Sequence, residues 1–255
     1  MTDARPSASP APSAARWFPI ILRTWNETLR VCTPTVIEHA VGRVRKEDCD
    51  RRLHEWSAEA CRLAGVRISV RGDEHFDPVR QGETFVVISN HQSSYDIFVL
   101  MHTFPGSLRM VAKKEIFRVP IMGGAMRAAG FVALDRGDSA RARKALDDAI
   151  ETFDAGTSVW IAPEGTRSPD GRMLPFKKGG FMLAYNAKRR ILPVTLNRTN
   201  QVLPSKDYRV RKDQRVEMVV HPPIDPSEYG LEKRDDLMRD VRHAIASGQP
   251  EALRA

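Results

Sequence analysis

Apolar residues along this chain fall into two kinds of pattern. The first is the short run, rich in β-branched and aromatic side chains. Phe85-Val86-Val87-Ile88 is such a run and predicts a buried strand. Residues 108–112, Phe131-Val132-Ala133-Leu134, Ser158-Val159-Trp160-Ile161-Ala162, Ile191-Leu192-Pro193-Val194-Thr195-Leu196 and 216–220 predict further strands. Residues 66–72 alternate apolar and charged with period two, which predicts a half-exposed strand ending in a turn. The second pattern is helical. Ala142, Ala145, Leu146, Ala149, Ile150 and Phe153 share one face of a helix over 139–154, which Gly156 ends. Shorter helices are expected over 97–101 and 181–188, and the charged stretch beyond Tyr229 reads as a peripheral helix. Strands and helices alternate through the middle of the chain. The fold class is therefore α/β, with a largely parallel central sheet flanked by helices.

The N-terminal quarter is patterned differently. Residues 1–15 are mostly Ala, Pro and Ser, without the apolar core of a secretory signal, and read as a disordered tail. In 16–30, Phe18, Ile21, Leu22, Trp25 and Leu29 recur at helical spacing, with Arg16, Arg23 and Arg30 seven apart. An apolar, aromatic face bordered by arginine suits a helix lying in a lipid interface. Pro34 is expected to break this helix. A second stretch carries Val36, Ile37, Ala40, Val41 and Val44 on one side and continues, past the charged patch 43–52, through Leu53, Trp56, Ala60 and Leu63. The expected organisation is a tail over 1–15, a helical membrane-docking segment over 16–64 and an α/β domain over 65–255. The plainer alternative is that these helices pack on the protein's own core. The longest uncharged runs, 84–95 and 97–108, are interrupted by polar residues and Pro105, short of the roughly 18 consecutive apolar residues of a spanning helix.

Composition narrows the choice of partner. A formal net charge of +8 favours something anionic, whether a phospholipid surface, a phosphorylated substrate or nucleic acid, although a merely well-solvated basic surface gives the same number. The basic residues form no recognisable nucleic-acid motif, so nucleic acid is not expected. Three cysteines, Cys32, Cys49 and Cys61, have neither the number nor the spacing of a disulfide framework, which points to a reducing compartment. With no CxxC or HExxH pattern, no metal is expected.

The candidate chemistry lies where strands stop. The run ending at Ile88 gives way to the polar cluster Ser89-Asn90-His91-Gln92-Ser93-Ser94, and Asp96 stands near the start of the next helix. Ligands of open α/β sheets bind at the carboxyl ends of strands. A histidine serves as general base when a carboxylate fixes its tautomer and orientation. On one regular helix His91 and Asp96 would point roughly 140° apart, but across a strand–loop–helix turn they can meet. A polar loop capped by Asp96, with His91 incidental, is the competing reading. Two further strand ends offer Asp135 and Arg136, then Glu164, Gly165, Thr166 and Arg167. In one parallel sheet these would converge. Gly165 would allow a tight turn whose amides face an anion. Arg167 and Arg136 supply planar forks for phosphate, and Lys113 a further positive group. Glu164 would hold an arginine or a substrate hydroxyl. Surface ion pairs are the ordinary fate of single arginines.

Asn90-His91-Gln92-Ser93-Ser94-Tyr95-Asp96 resembles the His-x4-Asp motif of the glycerolipid acyltransferase family, and within it of the enzymes that acylate lysophosphatidic acid. The stretch 130–136 resembles the family's second motif, Pro163-Glu164-Gly165-Thr166-Arg167-Ser168 its third and Leu192-Pro193-Val194 its fourth, in the right order and spacing. Ala112-Lys113-Lys114-Glu115 also fits. The resemblance covers about 65–200. Ala133 and Ala162 depart from it, standing where the family usually has phenylalanine, which leaves the acceptor open. The resemblance implies that His91 takes the proton from a glycerol hydroxyl as it attacks an acyl thioester, that Asp96 holds the imidazole, and that no covalent enzyme intermediate forms. It implies that amides after the central strand stabilise the oxyanion, and that Arg136, Arg167 and the Gly165 turn hold the acceptor phosphate. The acyl chain would lie along 116–126. The donor would be acyl-CoA or acyl-ACP as co-substrate, with no bound cofactor. The acceptor would be a lysophospholipid, and the site of action the cytoplasmic face of a membrane, with the protein peripheral or monotopic. The nearest alternative is the same chemistry on another acceptor, a larger-headgroup lysophospholipid or a lyso-ornithine lipid. A hydrolase using Ser93 or Ser94 lacks the Gly-x-Ser-x-Gly motif, and a non-catalytic lipid-binding protein would not depend on His91.

Overall fold

The computed structural model describes residues 13–135, 137–230 and 232–254. The predicted 1–15 tail lies, up to residue 12, outside the described residues. Seven strands form one sheet: β1 (Arg67–Arg71), β2 (Val86–Ser89), β3 (Leu108–Lys113), β4 (Val132–Leu134), β5 (Ser158–Ile161), β6 (Ile191–Asn197) and β7 (Arg215–Val220). Their spatial order is β1-β7-β6-β2-β5-β3-β4. All neighbours are parallel except β6 and β7, so β7 and β1 run opposite to the other five. The sheet is mostly parallel and flanked by helices, as the alternation along the chain predicts.

The two faces of β2 show why the central strand is an unbroken apolar run. Val87 packs into the cluster on one face, with Trp160, Met110 and Phe117, while Val86 and Ile88 pack into the other, with Val159, Phe181 and Ile245. All three β2 side chains are fully buried, worth roughly 1.5–3 kcal/mol each. Among the described residues ten α-helices flank the sheet: α1 (Ala14–Ala40), α2 (Lys46–Leu63), α3 (Asp77–Arg80), α4 (Tyr95–Thr103), α5 (Met122–Ala128), α6 (Ser139–Asp148), α7 (Ile150–Asp154), α8 (Gly179–Asn186), α9 (Thr199–Val202) and α10 (Arg234–Ser247).

Three elements differ from expectation. Pro34 does not break the first helix, and α1 runs to Ala40 with Pro19 and Pro34 inside it. Tertiary contacts carry it past the missing N–H, since Arg52 of α2 donates to both Thr35 Oγ1 and Glu38, and Thr35 Oγ1 also bonds back within the helix to Val31 O at 2.9 Å. α2 then folds back on α1 as a separate helix, with Trp56 Nε1 donating to Thr28 Oγ1 at 2.9 Å. The single helix over 139–154 is two, α6 and α7, and Asp138 caps the first by accepting from the amides of Ala140 and Arg141. The charged C-terminal helix is not peripheral. α10 buries Leu237, Val241 and Ile245, and its Ile245 carbonyl accepts from Thr195 Oγ1 of β6.

Candidate active site

β2 ends at Ser89, and the chain after it is pinned on every side. Asn90 is buried and pairs with both the amide and the carbonyl of Leu196, extending the β2–β6 ladder through a side chain. Gln92 Nε2 donates to Gly171 O, and Ser93 Oγ donates to Leu203 O at 2.7 Å. His91 is held between these anchors. Its Nδ1 lies 2.7 Å from Asp96 Oδ2, in the first turn of α4. The same oxygen accepts from the amides of Gln92 at 2.7 Å and Ser93 at 2.9 Å. Asp96 is fully buried, so three donors on one oxygen fix the carboxylate and, through it, the imidazole. The ring also meets the buried Trp160 edge-on, and Trp160 is itself tied to Ser89 Oγ. With Nδ1 engaged, Nε2 is the nitrogen left for chemistry.

His91 borders a cavity of about 340 Å³ at the carboxyl ends of β2, β3 and β5. Lys113, Gly165, Thr166 and Arg167 line it too, so these sequence-predicted residues come together around His91. Arg136 lies outside the described residues. Lys113 is exposed, with Nζ 3.6 Å from Glu115. Arg167 is half-buried and donates to Ser94 Oγ at 2.8 Å. Among the described lining residues there is no carboxylate, so the wall carries positive charge alone. Lys177 is a further cation that the sequence reading passed over. Its ammonium lies 2.9 Å from where a Cβ on Gly165 would sit, so a side chain there would displace the Lys177 head as well as meet a positive φ of 71°. Its only trace in the sequence is the lysine pair ahead of Gly179-Gly180, and nothing local brings it near Gly165.

Four expectations need correction. Glu164 holds neither an arginine nor an open place in the cavity wall. It is buried, with Oε1 accepting from the His91 amide at 2.8 Å and Oε2 from the Leu174 amide at 2.9 Å. Burial pushes its carboxyl up to about 7, against the pull of those two amides. The Gly165 amide turns inward to Ala162 O at 3.1 Å rather than facing an anion. The amides of residues 91–93 are all engaged by Glu164 and Asp96, so they are not a ready oxyanion hole. Asp135 pairs with Lys114 rather than facing His91, and that hydrogen bond holds its carboxyl below the usual range. Neither neighbouring serine is poised as a nucleophile, since Ser93 Oγ is turned to Leu203 and Ser94 Oγ is taken by Arg167.

A second cavity, of about 520 Å³ and almost wholly apolar, lies between the α1–α2 pair on one side and α4 and α5 on the other, with Met110 of β3 in its wall. Ile116, Met122, Ala125 and Met126 line it, placing part of the 116–126 stretch on its wall with Trp25 and Trp56 opposite. Ser94, Ile97, Met110 and Ile116 border both cavities, so the apolar space adjoins the one that holds His91. No described helix is long and apolar enough to cross a membrane.

Comparison with known proteins gives concordant matches. The family model described as Acyltransferase matches residues 67–197, just over half of the chain. The 1-acyl-sn-glycerol-3-phosphate acyltransferase alpha of Mus musculus is 35% identical over 186 residues, covering 72% of this chain and 64% of its own. A chloroplastic 1-acyl-sn-glycerol-3-phosphate acyltransferase of Arabidopsis thaliana is 37% identical over 63% of this chain and 44% of its own. The chain thus spans just under two thirds of the mouse protein's length and less than half of the plant one's. The crystal structure of the 1-acyl-sn-glycerophosphate acyltransferase of Thermotoga maritima superposes with a TM-score of 0.73 at 26% identity, covering 91% of this chain and 96% of that one.

Proposed function

This chain belongs to the acyltransferase family, and from that premise we propose that it transfers a fatty acyl group from an acyl thioester to the sn-2 hydroxyl of lysophosphatidic acid, making phosphatidic acid. The observation that carries the reading is the placement of His91. Its Nδ1 is tied to a buried Asp96, and the ring borders a cation-lined cavity that adjoins an apolar one. One cavity suits the phosphate of the acceptor and the other an acyl chain, and the base stands where they adjoin.

In the proposed reaction Nε2 of His91 accepts the proton of the glycerol hydroxyl as its oxygen forms a bond to the thioester carbonyl carbon. Asp96 stabilises the imidazolium that results. Collapse of the tetrahedral intermediate breaks the carbon–sulfur bond, and the imidazolium returns the proton to the departing thiolate. Arg167, Lys113 and Lys177 hold the acceptor phosphate, and Thr166 lies beside it. Glu164 acts behind the wall as a positioning residue. The donor is acyl-CoA or acyl-ACP, and no cofactor is required. The exposed Phe18, Leu22, Trp25, Ile37 and Val41 of the N-terminal helical hairpin and its turn support peripheral docking on a membrane. The face we propose for it is the cytoplasmic one.

The test is acyl transfer from labelled acyl-CoA and acyl-ACP to lysophosphatidic acid, with His91→Ala alongside. Phosphatidic acid formed by the wild type and lost in the variant is the expected result. No product with either donor, across chain lengths, would reject this acceptor.

A further inference from the structure

On the far flank of α1 from the apolar cavity lies a third one, of about 680 Å³, between the start of that helix and the segment leading into β7. Four cations line it: Arg16 and Arg23 from α1, Arg211 and Lys212 from the segment before β7. Against them stands one carboxylate, Asp213, whose side chain is packed on the turn at Gly65. None of the four cations makes an ion pair among the described residues, whereas Arg30, Arg52, Arg71, Arg80 and Arg109 are each paired. Arg211 is the most telling, because its Nε is buried with no hydrogen-bond partner. A buried guanidinium nitrogen left without an acceptor costs free energy that a bound anion would offset.

Topology places this groove where a lipid could reach it. β7 runs antiparallel to β6, so its start lies at the same edge of the sheet as the ends of β2 and β5, which carry His91 and Arg167. The exposed apolar stripe Phe18, Leu22 and Trp25 belongs to the same helix, about two fifths of a turn round from Arg16 and Arg23. A helix with its apolar stripe among acyl chains would hold that arginine flank at headgroup depth.

We propose that the groove formed by Arg16, Arg23, Arg211 and Lys212 binds the phosphate of an anionic phospholipid headgroup, a lipid site separate from the cavity at His91. The proposal rests on peripheral docking at a membrane. It adds to that reading a built site that selects for anionic lipid rather than a diffuse basic surface.

Vesicle flotation tests it, using the full chain with phosphatidylcholine vesicles and with vesicles that also contain phosphatidylglycerol. Wild type is expected to bind both and to prefer the anionic ones. The triple variant Arg16→Gln, Arg23→Gln, Lys212→Gln, altering exposed side chains only, is expected to lose about tenfold or more of that preference and to keep its binding to neutral vesicles. Arg211→Gln, checked for folding by circular dichroism, is expected to act in the same direction. A control triple variant on the opposite side, Arg143→Gln, Lys144→Gln, Arg239→Gln, should leave the preference in place. An equal loss in both triple variants would mean diffuse charge and overturn the site. Saturable binding of inorganic phosphate without any anionic-lipid preference would overturn the headgroup in favour of free phosphate. Failure to bind vesicles of either composition would instead sink the docking reading on which the proposal stands.

Discussion

The backbone of His91 is tied to Glu164: its amide donates to Glu164 Oε1 at 2.8 Å. Glu164 Oε2 reaches the Leu174 amide, and the His91 carbonyl accepts from the Ser168 amide at 2.7 Å. The loop after β2 and the loop after β5 are thus stitched together at the residue whose ring does the proposed chemistry. Asp96 fixes the ring and Glu164 fixes the main chain from which the ring hangs. The two carboxylates therefore have different duties, and only Asp96 touches the reacting imidazole.

Glu164 makes stability pH-dependent in a stated direction. Its carboxyl sits at about 7 in the folded protein against an ordinary 4.5. Between those values the folded state holds a proton that the unfolded chain has released, so this contribution to stability falls as pH rises through the window. It levels off above the folded value, and the total is on the order of 3 kcal/mol. Glutamine removes the charge but sets an NH₂ against one of the two amides that Glu164 accepts from, a cost that does not change with pH. Denaturant unfolding should therefore put Glu164→Gln below wild type near the bottom of the window, with the gap narrowing toward its top as the wild type loses stability. Parallel curves would contradict the assignment.

His91→Ala should lower kcat by roughly 10²–10⁴-fold while leaving the fold intact, because the ring is a solvent-accessible wall of the cavity rather than core. Asp96→Asn should cost a comparable factor for a different reason. The two amides that donate to Oδ2 would hold the asparagine carbonyl oxygen in that place, so the tautomer is kept, but a neutral amide no longer stabilises the imidazolium. Initial rates with lysophosphatidic acid, read beside circular dichroism, check both. Undiminished turnover in either variant would remove the pair from the mechanism.

What could be read from the sequence divides along physical lines. Each parallel strand is a short apolar run because both of its faces are covered, so β2 to β6 could be placed closely. His91 and Asp96 were legible because the strand–loop–helix spacing lets them meet. What tertiary contacts decide was not legible. Arg52 reaching Thr35 and Glu38 carries α1 past Pro34, and that contact joins residues 17 apart in the chain. Glu164 reads in its motif as holding an arginine or a substrate hydroxyl, yet its oxygens go to amides that only the folded loops bring near. Lys177 reaches the cavity because its ammonium lies over Gly165, a proximity with no local signal. The charged face of α10 hid a buried stripe, Leu237, Val241 and Ile245, spaced four apart.

Membrane docking should depend on the apolar stripe rather than on total hydrophobicity. Phe18 and Leu22 are 56% and 58% exposed and pack on little of the protein. Phe18→Ser and Leu22→Ser should each weaken binding to neutral vesicles by roughly tenfold or more, the worth of burying one large side chain, with no change in unfolding midpoint. Ile121 makes a sharper case. It is a β-branched residue at φ 63° and ψ −59°, in a three-residue turn closed by the Met122 amide on Pro120 O, and it is 43% exposed. Ile121→Gly should relieve strain of about 1 kcal/mol and raise stability while weakening vesicle binding. A variant that loses stability would show the turn to be unstrained.

Acyl-chain length should respond to the size of the apolar cavity. Ala129 lines it from the turn after α5, beside Phe131 and across from Cys32 and Trp56 of the helical pair. Its carbonyl is held by the buried Arg109 guanidinium, so the backbone there is fixed and a larger side chain would have to project into the space. In Ala129→Phe the far end of a long chain would lose its room while a short one would still fit. Each methylene denied burial costs about 0.8 kcal/mol. Two or three of them lower kcat/KM for long chains on the order of tenfold to a hundredfold relative to short ones. Rates measured over a series of acyl-CoA lengths check this, with thermal unfolding to confirm that the variant is folded. A uniform fall at every length would place the acyl chain elsewhere, because a cavity that measures length must discriminate by length.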